Sequence, residues 1–305
     1  MPAELVCIAG PTGSGKNDLA LKLSRHIDLE IINFDSRQVY ADLPIVTAQP
    51  GLEDQKLVPH HMYGFLGLWD RISAGAFVDR AVQKIAEVRS RGAVPFLVGG
   101  TGLYLRALIY GLADIPRVPG DVAAAIDEKC KVQGVAALRQ ELLEVDPEYC
   151  SRISSKDRQK MARALGVYRA TGIPFSQWHR NQNQQPRYRA LMLGIRTGLE
   201  RLGPFLEMRI NKMIEQGAVE EVKSAWDKCG RNPDCPAFSG IGCKELVSWL
   251  RKEADFDQAK KQWLTNTRAY AKRQLTWFAR EKDLHWLDSH DDPRALNFLR
   301  EQGLM

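Results

Sequence analysis

Residues 5–17 read LVCIAGPTGSGKN, and this stretch decides the predicted fold class. The apolar run at 5–10 predicts a buried strand, and residues 17–26 predict a helix. A glycine-rich turn between these elements points successive backbone N–H groups at one spot, where the helix N-terminus adds positive potential. We therefore predict a phosphate-binding loop. Its residues are Gly10, Pro11, Thr12, Gly13, Ser14, Gly15, Lys16 and Asn17.

The last residue of this loop departs from the usual pattern. The lysine of a phosphate loop is normally followed by Ser or Thr, whose hydroxyl ligates Mg²⁺, whereas Lys16 is followed by Asn17. An amide oxygen is an acceptable ligand for this ion but lies one atom further from the backbone. We therefore expect a weak Mg²⁺ contact at Asn17, direct or through water.

The rest of the chain continues the alternation of strands and helices. Further strands are predicted at 30–34, 94–100, 190–195 and 284–287, and helices at 75–91 and 102–112. This alternation predicts an α/β fold with a P-loop NTPase-like parallel sheet flanked by helices. Residues 117–188 are predicted to form a mostly helical inserted domain, and a glutamine-rich loop at 181–189 connects it to the strand predicted at 190–195. Residues 1–116 and 189–305 would then form the core domain.

Two polar positions follow predicted strands. Asp35 lies just past the second strand, where open parallel sheets form their active crevice. A carboxylate there can ligate a metal through water or accept a proton from a nucleophile, although Asp35 and Ser36 could instead cap a helix. Thr101, in GGTGLY (99–104), ends the third strand at the same crevice and offers a hydroxyl where nucleotide hydrolases often carry an acid.

The net charge of +6 is concentrated in one segment. Ten Lys or Arg residues and two acidic residues lie between Ser155 and Arg201, whereas the remainder of the chain is slightly acidic. This segment predicts a local contact with a polyanion, with a solvated helical face as the alternative. The helix predicted at 156–172 places Gln159 and Arg163 opposite its apolar stripe, with Lys160 beside them.

Composition argues against membrane and secreted proteins. No apolar run reaches the roughly 20 residues of a membrane helix, and the N-terminus lacks the features of a secretion signal. The six cysteines are widely spaced without a CxxC pair, which indicates free thiols. We expect a cytoplasmic monomer that does not contact membranes.

Taken in chain order, the motifs resemble those of the tRNA dimethylallyltransferases, also called tRNA isopentenyltransferases. Matching blocks cover nearly the whole chain. They include GPTGSGK, DSRQVY, TAQP, GGTGLYLRAL, DRQKMARALGVYRATG, RINKMIEQGAVEEV and TRAYAKRQLTWF. The chain departs from the family at Asn17, where the family has Ser or Thr, and at Gln49, where it usually has Lys. The change at Asn17 affects a residue that would ligate Mg²⁺. The change at Gln49 removes one positive charge near the phosphates.

The resemblance implies a reaction and a set of site residues. The loop would bind the pyrophosphate of dimethylallyl diphosphate with Mg²⁺, and the exocyclic amine of the adenosine 3′ to the tRNA anticodon would attack the allylic carbon. Asp35 would accept the proton of that amine, and Thr101 would help to stabilise the leaving pyrophosphate. The anticodon stem-loop would contact Asp35, Ser36, Arg37, Gln38, Thr101, Gln159, Lys160, Met161, Ala162 and Arg163.

Three other functions stay open at the level of sequence. A phosphate loop with an Asp after the second strand is also typical of small-molecule kinases, although the missing hydroxyl at 17 and the basic insertion argue against one. Prenyl transfer to a free adenine nucleotide would need no RNA-binding segment. An RNA-binding protein with a degenerate phosphate loop is the third alternative, and Asn17 is its main support.

Overall fold

The central strand of the molecule is the apolar run that precedes the glycine-rich loop. In the computed structural model, which describes residues 3–180, 185–288 and 291–304, every residue from Leu5 to Ala9 is buried. Successive side chains of a strand point to opposite faces, so both faces of the sheet are covered at this strand. Such burial is typical of a parallel sheet between two helical layers.

Six strands of the described chain form one parallel sheet. They are β1 (Leu5–Ala9), β2 (Leu29–Asn33), β3 (His60–His61), β4 (Val94–Gly99), β5 (Ala190–Arg196) and β6 (Leu284–Asp288). Their spatial order is β3-β2-β4-β1-β5-β6, which puts β4 between β1 and β2. The loops that follow β1, β2 and β4 therefore leave the same edge of the sheet side by side.

Helices make up most of the remaining described chain. In chain order they are α1 (Lys16–Leu23), α2 (Leu52–Leu57), α3 (Ala74–Ser90), α4 (Gly102–Tyr110), α5 (Gly120–Val145), α6 (Pro147–Arg152), α7 (Arg158–Thr171), α8 (Phe175–Arg180), α9 (Leu199–Glu215), α10 (Ala218–Lys228), α11 (Cys243–Leu250), α12 (Phe256–Phe278) and α13 (Asp292–Glu301). A short 3₁₀ helix, Pro236–Ser239, precedes α11. Helix α5 is broken at Gly134, where φ is +79°.

The chain divides into two compact units. The first comprises Met1–Ile109 and Arg187–Met305 and contains the sheet, and the second comprises Tyr110–Pro186. The second unit starts before the boundary predicted at 117, and Ile115, which precedes that boundary, already packs against its core. That core is formed by apolar side chains of α5 to α8.

The first unit contains an apolar core on the sheet and another among its C-terminal helices. On the sheet, Leu23 of α1 and Leu299 of α13 pack with Ile8 of β1 in one cluster, while α3 contacts β2 and β4. Away from the sheet, α9 to α12 enclose a cluster that includes Ile210 and Trp263. These helices bring residues from the last third of the chain to the loops after β1, β2 and β4.

The predicted fold class is confirmed by the parallel sheet and its flanking helices. The strand β3 was not predicted because two residues carry no periodic pattern. All six cysteines are free thiols in the structure, and all are buried, which the sequence did not predict. Part of the glutamine-rich loop predicted at 181–189 lies outside the described residues. No helix in the described residues is both long enough and apolar enough to cross a membrane.

Candidate active site

The glycine-rich loop joins β1 to the N-terminus of α1. Gly13 and Gly15 have φ of +79° and +83°, in the left-handed region that favours glycine. A Cβ atom at Gly13 would lie 2.7 Å from Leu206 Cδ2, so the loop packs closely against α9. The loop therefore brings its backbone and the start of α1 to one place, as the sequence predicts.

The Lys16 side chain folds back over the loop. Its Nζ donates hydrogen bonds to the carbonyl oxygens of Gly10 (3.1 Å) and Pro11 (2.8 Å). Burial lowers the pKa of Lys16 to about 8, with the positive charge of Arg209 adding to this effect and the Asp35 carboxylate opposing it. Lys16 is half-buried at the cavity, and an anionic ligand bound beside it would raise its pKa again and so stabilise its charged form.

The hydroxyl of Ser14 is buried and has no hydrogen-bond partner in the described part of the chain. Buried polar atoms are normally paired, so an unpaired one beside a cavity indicates that a ligand supplies the partner. Ser14 lines a cavity of about 470 Å³ with Gly15, Lys16 and Asn17. We therefore regard this cavity as the anion site of the loop.

The oxygen donors of this cavity suit a divalent metal ion. The Ser14 hydroxyl, the Asn17 amide and the Asp35 carboxylate belong to residues that line it, and hard cations prefer such oxygens. Within the ranges that the structure describes, no three His, Cys, Asp or Glu side chains group into a metal cage. A metal that also binds substrate phosphate oxygens needs only one or two protein ligands. The residues therefore fit a metal bound together with a diphosphate.

Asp35 is held by a network at the end of β2. The buried Asn33 side chain accepts the Asp35 N–H at 2.7 Å and donates to the carbonyl oxygens of Asp35 (3.1 Å) and Met62 (2.9 Å). Asp35 Oδ1 accepts the N–H of Arg37 at 2.9 Å. The helix-cap alternative for Asp35 is wrong, because the next helix begins only at Leu52.

Thr101 supports the Asp35 turn from β4. Its N–H donates to the Phe34 carbonyl at 3.3 Å, and its hydroxyl accepts the Ser36 N–H at 3.0 Å. The same hydroxyl lies 3.3 Å from the Ser36 hydroxyl. Thr101 is not among the described residues that line the two cavities at this edge. Thr101 is half-buried, and its side chain contacts Ser36 and Tyr270, of which Tyr270 lines the second cavity.

A second cavity, of about 250 Å³, adjoins the first. The two share the lining residues Thr12, Asp35, Thr47, Ala48 and Arg209. Apolar side chains line much of the second cavity: Val46, Leu206, Ile210, Met213, Ile241 and Trp263. The Val46 backbone is held by Glu221 of α10, whose carboxylate accepts its N–H at 2.8 Å. Arg37, Arg209 and Arg273 also line the second cavity, so both cavities carry cations, the second adds an apolar wall, and Asp35 lines both.

Three of the site residues that were not predicted from sequence reach the site from α9 and α12. Arg209 of α9 donates a hydrogen bond of 2.9 Å from Nη1 to the Thr12 hydroxyl. Gln274 of α12 bonds both the loop and the end of β4. Tyr270, also on α12, lines the second cavity, and burial raises its pKa, with the Asp35 carboxylate adding to the effect. Arg209 and Gln274 could have been noticed in the sequence, because each is a polar residue within the apolar stripe of its helix.

Predicted tRNA-contact residues after Asp35 lie around both cavities. Arg37 lines the second cavity and donates from Nη1 to the Ser239 hydroxyl at 2.8 Å. Gln38 lines the first cavity, where its amide donates to the Ala48 carbonyl. Gln49 also makes internal contacts, since its Nε2 donates to the Tyr40 carbonyl at 2.8 Å.

The predicted contact face of the second unit lies on α7. Gln159, Lys160 and Arg163 are exposed, and Ala162 is half-buried. Met161 is 0% exposed within the core of this unit, so it supports the face from beneath and drops out of the predicted contact set. Arg163 donates to the Pro116 carbonyl at 3.2 Å, which fixes part of its side chain while its surface stays exposed.

Comparison with protein sequences identifies close relatives over nearly the whole chain. A family model described as IPP transferase matches residues 38–281. A tRNA dimethylallyltransferase of Maridesulfovibrio salexigens is 48% identical over 295 residues, which cover 97% of this chain and 96% of the relative. A tRNA dimethylallyltransferase of Oleidesulfovibrio alaskensis is also 48% identical, over 94% of each chain.

Solved structures of similar proteins share the fold of this chain over nearly its whole length. A tRNA isopentenylpyrophosphate transferase from Bacillus halodurans is 32% identical, with a TM-score of 0.71 and coverage of 98% of this chain and 97% of that one. A eukaryotic dimethylallyltransferase, described as acting on tRNA, is 27% identical. Its TM-score is 0.81, and the similarity covers 98% of this chain and 77% of that one.

Proposed function

Because the chain belongs to the IPP transferase family, we propose that it transfers a dimethylallyl group from dimethylallyl diphosphate to tRNA. The acceptor is the exocyclic amine of the adenosine 3′ to the anticodon, and diphosphate is released. The observation that carries this proposal is the pair of adjoining cavities with Asp35 in the lining of both: the first contains the phosphate loop with Lys16, and the second has an apolar wall opposite Arg37 and Arg273. A substrate with a charged head and a short apolar tail matches this arrangement.

The diphosphate binds at the phosphate loop in this proposal. Lys16 and Arg209 supply positive charge, and the unpaired Ser14 hydroxyl donates to a phosphate oxygen. As the carbon–oxygen bond breaks, negative charge gathers on the leaving diphosphate, and preorganised donors stabilise that charge without having to reorganise. The loop thus acts on the leaving group of an allylic substrate rather than on ATP.

The five-carbon chain occupies the second cavity. Ile210, Met213 and Trp263 line it together with other apolar side chains, and burial of this chain releases water from their surfaces. The volume of about 250 Å³ suits a short branched hydrocarbon together with the base that attacks it. This placement puts the allylic carbon close to Asp35, where the two cavities meet.

Asp35 is the proton acceptor of the proposed reaction. The adenine amine forms a new carbon–nitrogen bond, the allylic carbon–oxygen bond breaks, and the amine proton passes to the carboxylate. Proton transfer to a positioned base contributes about 10²- to 10⁴-fold to such reactions. Thr101 contributes indirectly, because its hydroxyl holds the Ser36 N–H and thereby the turn that carries Asp35.

The metal of this reaction is proposed to be Mg²⁺. When bound, it neutralises charge on the diphosphate and so assists its departure. Ser14 and Asn17 are the residues that would hold it, with Asp35 reached through water. Asn17 is then a weak ligand, since its oxygen stands further from the backbone than a threonine hydroxyl.

The tRNA anticodon stem-loop is the proposed macromolecular substrate. Gln159, Lys160 and Arg163 present an exposed polar and cationic face that suits the phosphate backbone. The target base leaves its stack to react, as in other enzymes that modify bases. We also propose that the enzyme acts as a monomer in the cytoplasm.

The decisive experiment uses the purified protein, Mg²⁺, dimethylallyl diphosphate and unmodified tRNA. After digestion, mass spectrometry of the nucleosides is expected to reveal adenosine that has gained one dimethylallyl group. Parallel reactions with free AMP, and with ATP and a panel of metabolites, test the nucleotide prenyltransferase and kinase alternatives. Unmodified adenosine in tRNA, from folded protein that binds diphosphate, would overturn the proposal.

A further inference from the structure

Gln274 connects two loops of the candidate active site. The residue is 4% exposed on α12. Its Oε1 accepts the Thr12 N–H at 2.8 Å, and its Nε2 donates to the Gly100 carbonyl at 2.9 Å. One buried amide therefore joins the phosphate loop after β1 to the turn after β4.

The partners of this amide require a side chain with both a donor and an acceptor. Thr12 presents an N–H and Gly100 presents a carbonyl, so the side chain between them must accept at one end and donate at the other. A glutamate carboxylate would place a second oxygen against the Gly100 carbonyl. Gly100 itself has no room for a side chain, since a Cβ atom there would lie 2.0 Å from Gln274 Nε2.

Both ends of the connection lead to groups of the proposed reaction. At the loop, the Thr12 hydroxyl accepts a hydrogen bond from Arg209. At the other end, the residue after Gly100 is Thr101, whose hydroxyl accepts the Ser36 N–H beside Asp35. Gln274 is absent from the described residues that line either cavity, so it acts through these neighbours.

We propose that Gln274 is a positioning residue that sets the spacing between the phosphate loop and Asp35. This inference rests on the proposed function. The allylic carbon must lie between the departing diphosphate oxygen and the attacking nitrogen, whose proton Asp35 receives. A small shift of the loop relative to Asp35 misaligns these atoms, and a displacement of about 1 Å can reduce a rate by about 10²-fold.

The test variant is Gln274→Glu, because its defect depends on protonation. The ionised carboxylate accepts from Thr12 but cannot donate to Gly100, whereas the protonated acid can do both. Burial raises the pKa of such a carboxyl group, which brings its titration toward the assay range. We expect the ratio of variant to wild-type kcat to be about 0.1 or lower near pH 8.5 and to rise severalfold toward pH 6. Taking this ratio removes the pH effects that the variant and the wild type share.

The matched control is Gln274→Met, which has a similar size and no titratable group. Its kcat should be lowered about 10- to 100-fold at every pH, with a constant ratio to wild type and KM for dimethylallyl diphosphate within about threefold. All assays run below the unfolding temperature of each variant, measured by circular dichroism. Should Gln274→Glu fail to fold, the kcat and KM of Gln274→Met decide the question.

The possible outcomes separate this inference from the proposed function. No prenyl transfer by the wild-type protein would refute the proposed function. An active wild type with near-normal kcat in folded Gln274→Met, or with a pH-independent ratio for folded Gln274→Glu, would overturn the positioning role alone. Retained binding of Mg²⁺-pyrophosphate by both variants, measured calorimetrically, would locate the defect in alignment rather than in anion binding.

Discussion

Arg209 Nη1 donates a hydrogen bond of 2.9 Å to the hydroxyl of Thr12, and this bond joins α9 to the phosphate loop. Burial lowers the pKa of Arg209, and the Asp35 and Asp18 carboxylates oppose that effect. Arg209 and Lys16 thus place two cations at the phosphate loop. This charge suits a diphosphate that accumulates negative charge as it leaves.

Replacement of Asp35 tests the proton acceptor. Asp35→Asn keeps an oxygen that can accept the Arg37 N–H, so the turn should hold while the base is lost. We expect prenyl transfer to fall at least about 100-fold with little change in tRNA affinity. Single-turnover rates and filter-binding measurements test this, and Asp79→Asn, on the exposed face of α3, serves as the control. Near-normal turnover would exclude Asp35 as the base.

Titration of Lys16 should appear as proton uptake on ligand binding. The free protein loses this charge as the pH rises through about 8, whereas a bound diphosphate raises the pKa and keeps the lysine charged. We expect affinity for pyrophosphate to fall above about pH 8. Calorimetry at pH 8.5 in two buffers of different ionisation enthalpy should detect proton uptake, and Lys16→Arg should abolish it. Equal heats in both buffers would contradict the prediction.

The unpaired hydroxyl of Ser14 predicts opposite effects on stability and on function. Ser14→Ala removes a buried group that lacks a partner, so the free energy of unfolding should stay the same or rise by about 1 kcal/mol. KM for dimethylallyl diphosphate should rise about 10-fold, because a hydrogen bond to a charged ligand is lost. Ser24→Ala is the control, since the Ser24 hydroxyl already bonds the Leu21 carbonyl. It should lower stability and leave KM unchanged.

The role of Asn17 can be tested by measuring the Mg²⁺ concentration that half-maximal activity requires. Asn17→Thr restores a hydroxyl nearer the backbone, so half-maximal activity should need less Mg²⁺, by about a factor of 3 to 10. Asn17→Val has the same shape without the hydroxyl and should need at least as much Mg²⁺ as the wild type. Superimposable Mg²⁺ titrations for the Thr and Val variants would mean that position 17 does not contact the metal.

The exposed face of α7 predicts a change in the salt dependence of tRNA binding. Arg163→Gln removes one cation that we assign to the RNA backbone, so affinity should fall and the slope of log K against log salt should shrink by about 1. Lys131→Gln, a charge change on exposed α5 of the same unit, should leave that slope unchanged. Identical slopes for wild type and Arg163→Gln would exclude this face from the RNA contact.

Local sequence was sufficient to predict five of the six described strands and the loops after β1, β2 and β4. The apolar run at Leu5–Ala9, followed by glycines and Lys16, has few alternatives, because buried strands and glycine-rich turns have short-range signatures. Asp35 and Thr101 could be placed at one edge because parallel strands end on the same side. Their distance from each other, and the use of the Thr101 hydroxyl by Ser36, could not be predicted in that way.

The local sequence therefore determined the fold class, the phosphate loop and the candidate base. Each of these could be predicted because its pattern involves residues only a few positions apart in the chain. Tertiary structure decided the rest of the site: Arg209 and Gln274 reach Thr12 from helices that lie far along the chain. On their own helices they look like polar interruptions of apolar stripes. Only packing of α9 and α12 against the loop gives each a partner, because hydrogen bonds depend on distances in space rather than on separation along the chain.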